Sequence, residues 1–181
     1  LELIIETERY DLSFVEHGFP PNYQHLSVHG VYNVGWNSFA RSVAAEKALN
    51  QWCKLTTEWC FDRIEKGRYA DQKYLEVLAA SSSNFKSISS SVMGLAEYNF
   101  FQYDIKISEG ISNQRLPRIL SGSKPVISWH HHGVIEKDDG EFFLRINIDE
   151  ARMSKLYHEV YSYYTDELKR RGVRYKMGAK E

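Results

Sequence analysis

Three consecutive histidines, His130, His131 and His132, form the densest group of candidate ligands in the chain. In an extended segment His130 and His132 point to one side and His131 to the other. Neutral imidazole is a common ligand for transition metals. Three histidines with no partnering carboxylate motif do not define a metal centre on their own, and a wet turn or a satisfied hydrogen-bond cluster is the plain alternative. Asp71 and Gln72 set an anionic acceptor beside an amide, a pair suited to sugar hydroxyls. The same aspartate could instead cap the helix that follows it. Asn33 and Trp36 lie either side of Gly35. Trp36 could stack on a sugar ring or fill the core, the commoner place for an aromatic. The acidic stretch 136–141 could hold a cation, but its Asp139-Gly140 step is a strong hairpin signal.

These groups need a scaffold, and composition bounds it. A chain of 181 residues fits one domain, with room for an appended arm. With 43% apolar and 26% charged residues it can build a packed core. A net charge of -1 gives no electrostatic reason for a nucleic-acid partner. No apolar run approaches the roughly 20 residues needed to cross a bilayer, and no signal-peptide pattern is present. A cytoplasmic location is the expectation. The chain begins with Leu1, and its first residues read like a strand entered midway, so an upstream portion is expected.

Cys53 and Cys60 stand seven residues apart in a helical pattern. That spacing is about 10 Å along a helix, beyond the roughly 4.4–6.8 Å that a disulfide spans between Cα atoms. Both are expected to be small buried hydrophobes in a reducing compartment, and neither belongs to a metal-binding CxxC pair.

Along the chain, residues 1–6 read as a strand and residues 17–23 as a loop. Residues 30–40 form an apolar run broken by Gly30 and Gly35, where a glycine signals a bulge or a close backbone approach. From residue 42 to 66, apolar positions recur at helical spacing, and Gly67 stands where a C-cap glycine would. Asp71 then opens a short helix over 72–79. The serine-rich stretch 81–94 reads as a strand with polar loops. Phe101, Tyr103, Ile105 and Ile107 alternate as in a strand. Residues 113–124 read as loop, 125–133 as a strand running into a polar turn, and 141–148 as another strand. Residues 149–171 carry a helical pattern closed by a basic run and Gly172. Strands and helices mix without a clean βαβ rhythm, which suits a half-domain that completes a larger sheet.

Four segments taken in order, GVYNVGWNSF, EWCFDRIEKGRYADQKYL, AEYN and PVISWHHHGV, resemble the C-terminal half of bacterial nucleotide-diphospho-sugar transferases of the GT-A fold. The resemblance covers roughly residues 15–165, and its second segment is the most specific. It implies an α/β fold: the C-terminal, acceptor-side portion of a GT-A, Rossmann-like mixed-sheet glycosyltransferase domain over residues 1–148, with a helix and tail packed on it over 149–181. It implies a sugar moved from a nucleotide-diphospho-sugar donor to a glycan or lipid-linked acceptor, in polysaccharide biosynthesis. It also leaves room for peripheral membrane association of the intact protein.

The resemblance assigns roles residue by residue. Asn33, Gly35 and Trp36 would lie beside the donor sugar. Asp71 and Gln72 would line the reaction centre, and Arg68 would steer phosphate or brace Asp71. In glycogenin-like relatives a histidine three residues before a glycine completes a divalent-metal site; His130 stands so relative to Gly133, and His132 is the second candidate. Those relatives hold the diphosphate with a lysine shortly afterwards. The same spacing here falls on Glu136, with Lys137 one residue later, a departure from the pattern. The implied cofactor is Mn²⁺ or Mg²⁺, a Lewis acid for the leaving diphosphate; an imidazole ligand suits Mn²⁺ better than Mg²⁺.

Enzymes of this fold take two metal-binding carboxylates from an Asp-x-Asp motif on an early strand. No Asp-x-Asp occurs in this sequence. The chain by itself is therefore expected to be inactive. Two other classes compete: a non-catalytic carbohydrate-binding or scaffolding remnant of the fold, and a metal-dependent hydrolase built on the histidines.

Overall fold

The first four residues of strand β1 (Leu12–Glu16) are all buried. Both of its faces are therefore covered, as in a central strand. The structure is a computed structural model that describes residues 6–96, 98–108, 118–130, 134–136, 141–145, 166, 169–170, 172 and 174–178. Its contacts divide the chain into two compact units, Leu1–Gly94 and Leu95–Glu181. The expected boundary at residues 148 and 149 lies outside the described residues. The fold is mixed α/β with small mixed sheets.

In the first unit β1 pairs antiparallel with β2 (Tyr32–Phe39) and parallel with β3 (Phe85–Ile88). A parallel pair needs a crossover, and here helices α1 (Val43–Glu58) and α2 (Tyr74–Ser81) lie in the connection. Leu12 and Phe14 face these helices and pack with Ala45, Leu75 and Leu78. The Phe14 ring meets Tyr32, Phe39 and Phe85 at 5.8, 5.6 and 5.4 Å. Val15 belongs to a separate cluster with Ile88 and Met93, against which Trp36 packs. The bulge expected at a glycine is present: between Phe14 and Val15 the partner on β2 jumps from Asn37 to Asn33, leaving Val34, Gly35 and Trp36 outside the ladder.

Helix α1 starts where the spacing predicts. Ser42 caps it, accepting from the Ala45 amide at 3.1 Å and donating to Asp11 Oδ1 at 2.6 Å. It ends earlier than predicted, with Trp59 already extended (φ −160, ψ 118). Gly67 is not its C-cap. Lys66 and Gly67 both have positive φ, 51 and 75. They close a two-residue hairpin in which Glu65 and Arg68 exchange backbone hydrogen bonds of 3.1 and 3.0 Å, the geometry of a type I′ turn. Cys53 and Cys60 are free, as expected, but both are exposed rather than buried. Cys60 and Ile64 extend the helical spacing without extending the helix, and Ile64 is 50% exposed.

In the second unit β5 (Ile105–Ser108), β6 (Arg118–Ser121) and β7 (Lys124–Pro125) form an antiparallel sheet, with the short strands β4 (Met93–Leu95) before it and β8 (Ser128–Trp129) after it in the chain. Residues 118–121 are thus a strand, not the loop their sequence suggests; pairing on both sides supplies the order that local propensity lacks. Phe100–Gln102 is a 3-10 turn, so the strand expected from Phe101 onward starts only at Ile105. Leu95, Phe100 and Ile105 form its core, with Ile119, Val126 and Trp129 packed on them. The predicted hairpin is borne out in its arms: β9 (Val134–Glu136) pairs antiparallel with β10 (Glu141–Arg145), which pairs parallel with β11 (Arg174–Gly178). The turn at 137–140 lies outside the described residues, as do residues 1–5 of the expected first strand; Glu6 is helical. Of the expected helix over 149–171, the described Asp166, Lys169 and Arg170 are helical. No helix among the described residues is long and apolar enough to cross a membrane.

Candidate functional site

Asp71 does not cap α2. The N-cap of that helix is Lys73, itself helical (φ −64, ψ −25), and the cap has no side-chain hydrogen bond. Asp71 sits two residues earlier, in a turn whose backbone is held from three directions. The Trp52 indole Nε1 donates to the Asp71 carbonyl at 3.0 Å. The Ala70 amide donates to Phe61 O at 3.0 Å, and the Lys73 amide to Tyr69 O at 3.3 Å. Ala70 is forced to φ 42, a left-handed conformation that costs a non-glycine residue about 1–2 kcal/mol. The half-buried Asp71 carboxylate makes no hydrogen bond or ion pair with any described residue.

Gln72 reaches the other way. Its amide Nε2 donates to the carbonyl of His29 at 3.1 Å, so this side chain braces the end of the 3-10 helix Pro21–His29. Arg68 braces the hairpin rather than Asp71. Its Nη2 meets Glu65 Oε1 at 3.0 Å, and its guanidinium covers the Trp59 ring at 4.5 Å. Arg63 meets the other oxygen of the same carboxylate at 2.9 Å, so Glu65 is shared by two cations. Both pairs are partly exposed, and such pairs contribute little to stability; they fix the shape of the loop. Tyr69 closes the hairpin with a 2.5 Å hydrogen bond to Asp62 Oδ1. That bond to a carboxylate, then burial, pushes the Tyr69 phenol up to about 12.

Asn33, Gly35 and Trp36 come together at the bulge of β2. Asn33 is 4% exposed, and its Oδ1 accepts from the Gly35 amide at 2.6 Å. The asparagine shapes the bulge as an Asx turn does. Trp36 is half-buried, packed by the cluster around Val15. The packing role weighed for it is therefore real.

His130 belongs to the second unit. Its amide donates to Leu95 O at 2.6 Å, and its side chain is half-buried. His132, Gly133 and Lys137 lie outside the described residues. Among the described residues no group of three or more His, Cys, Asp or Glu could hold a metal ion. His130 is one imidazole, and Mn²⁺ or Mg²⁺ needs several ligands. Among the described residues no metal centre is complete around it.

The sequence did not single out Trp52, Tyr69 or His29. Trp52 read as one more apolar position of a helix, and the hairpin that brings Tyr69 to Asp62 was hidden inside the predicted helix and cap.

The chain is similar to a Bacillus subtilis (strain 168) protein named "Uncharacterized protein YfnF", 26% identical over 104 residues, which make up 58% of this chain and 32% of that protein. The similarity therefore spans less than a third of that relative's length. No protein-family model matches the chain, and no solved structure does.

Proposed function

We propose that the chain is the acceptor-side portion of a bacterial, cytoplasmic GT-A glycosyltransferase. The intact enzyme would move a sugar from a nucleotide-diphosphate donor to a glycan or lipid-linked acceptor, this chain lacking the donor-binding Asp-x-Asp half. The observation that carries this proposal is the state of Asp71: its backbone is clamped on both sides and strained at Ala70, while its carboxylate is left unengaged by the described residues. Strain held in place by its surroundings concentrates at functional sites. A half-buried carboxylate without a structural partner is a good acceptor for sugar hydroxyls, and orientation of the reacting hydroxyl can supply a large part of a transfer rate.

In this account Asp71 orients the reacting sugar, and Gln72 fixes the floor of the turn through His29. A Mn²⁺ or Mg²⁺ ion, held by His130 and His132 together with carboxylates from elsewhere, would stabilise charge on the departing diphosphate. Lys137 would sit near that diphosphate.

The test is turnover of a panel of UDP-, GDP-, CDP- and dTDP-sugars by the full-length protein, with Mn²⁺ and after EDTA. Metal-dependent release of nucleoside diphosphate is expected. No turnover together with glycan binding would replace transfer by a carbohydrate-binding role, in line with the lack of Asp-x-Asp in this sequence.

A further inference from the structure

Phe61 and Ile64 are 52% and 50% exposed, yet they stand on a closed hairpin. The Ala70 amide donates to Phe61 O at 3.0 Å, and Glu65 and Arg68 exchange bonds of 3.1 and 3.0 Å at the turn. A fixed backbone therefore holds both apolar side chains outward. Single exposed apolar residues are ordinary on a surface. Here two of them share one short protrusion, and the charges around them are sorted by sign.

Both acids of the hairpin are engaged within it. Asp62 accepts from Tyr69, and Glu65 pairs with Arg63 and Arg68. Against these two acids, residues 61–70 carry three cations, Arg63, Lys66 and Arg68. Lys66, at the turn, is exposed and makes no hydrogen bond or ion pair with any described residue. The Arg63 and Arg68 guanidiniums lie over the rings of Phe61 and Trp59 at 4.9 and 4.5 Å. This layout matches the boundary between acyl chains and anionic headgroups. Phe61 and Ile64 can enter the apolar side while the cations stay among the phosphates. The bonds across the hairpin keep its backbone paired as water is withdrawn. A protein contact would be served by the apolar pair alone; the sorted charge is what favours lipid.

We propose that the hairpin 61–70 docks the protein on an anionic lipid surface, and that the acceptor met by Asp71 is lipid-linked. The choice of acceptor rests on the glycosyl-transfer function proposed for Asp71; the docking does not. Ala70 is followed directly by Asp71. Docking the hairpin thus brings the turn with the carboxylate to the headgroup region, where a lipid-linked acceptor carries its reacting hydroxyl.

The test is flotation of the full-length protein, without donor, on vesicles of phosphatidylcholine alone and of phosphatidylcholine and phosphatidylglycerol in equal parts. The wild type is expected to float with the anionic vesicles, less so as salt rises, and poorly with phosphatidylcholine alone. Ile64→Ser is expected to lower the partition coefficient about tenfold. Lys66→Asn keeps the Asn-Gly sequence that a type I′ turn prefers and removes the charge; a fall of about fivefold is expected. Melting midpoints of both variants are expected to match the wild type. A wild type that floats with neither vesicle, the outcome if a protein covers Phe61 and Ile64, overturns the proposal. Variants that float as the wild type does also overturn it, because another surface then makes the contact. Flotation without turnover of any sugar nucleotide upholds the docking hairpin and removes the transfer function. Turnover on a soluble acceptor without flotation does the reverse.

Discussion

The indole of Trp52, on helix α1, donates its one hydrogen bond to the backbone carbonyl of Asp71 at 3.0 Å. The same ring stacks on Phe39 of β2 at 5.9 Å. A core aromatic thereby transmits the position of the sheet to the turn that carries the candidate carboxylate. Trp52→Phe keeps an aromatic for the stack and removes the donor. It is expected to cost about 1 kcal/mol of stability in denaturant unfolding. It is also expected to lower turnover by more than the lost folded population explains. An equal loss in both would make Trp52 a packing residue only.

Tyr69 and Asp62 make the pH response of the hairpin specific. The Asp62 carboxylate holds the Tyr69 phenol protonated up to about 12, against 10.0 ordinarily. A folded pKa above the unfolded one gives stability that is fully present below about pH 10 and lost as pH rises from about 10 to about 12. Asp62→Asn is expected to bring the Tyr69 titration down towards 10 and to flatten that loss. Difference absorbance of tyrosinate against pH, wild type minus variant, reads it. Superimposable titrations would contradict the assigned hydrogen bond.

Gly94 has φ +87, and a Cβ there would come 2.7 Å from Val15 Cγ1. Gly67 has φ +75 with nothing within 4 Å. Gly67→Ala therefore meets backbone strain alone, about 1 kcal/mol. Gly94→Ala adds a clash in the core, for a total of about 2–4 kcal/mol. Urea midpoints of the two variants are expected in that order; the reverse order would mean the Val15 cluster is less tightly packed than described.

The local signals in the sequence were reliable where one short-range cause decides the structure. Ser42 begins a helix because its hydroxyl meets the Ala45 amide, and Gly35 marks a bulge because an Asn two residues earlier folds back on its amide. Longer-range causes were not legible. Helical spacing runs on through Cys60 and Ile64, but the chain leaves the helix at Trp59, a residue only 7% exposed whose ring lies under Arg68. Residues 118–121 become a strand because β5 and β7 pair with them, which no pattern inside the segment announces. At the site, Asp71 and Gln72 were visible as residue types. Their division of labour was not, because it depends on Trp52, Phe61 and His29, residues distant in the chain.

The central claim is that Asp71 is held for a ligand rather than for the fold. The most direct measurement is Asp71→Asn, with sugar-nucleotide turnover and melting midpoint taken on the same preparations of full-length protein. Because the carboxylate caps no helix and pairs with no described residue, stability is expected to stay within about 0.5 kcal/mol of wild type. Turnover is expected to fall by about 10²-fold or more. A melting midpoint that falls in step with activity would contradict the account and return Asp71 to a structural role.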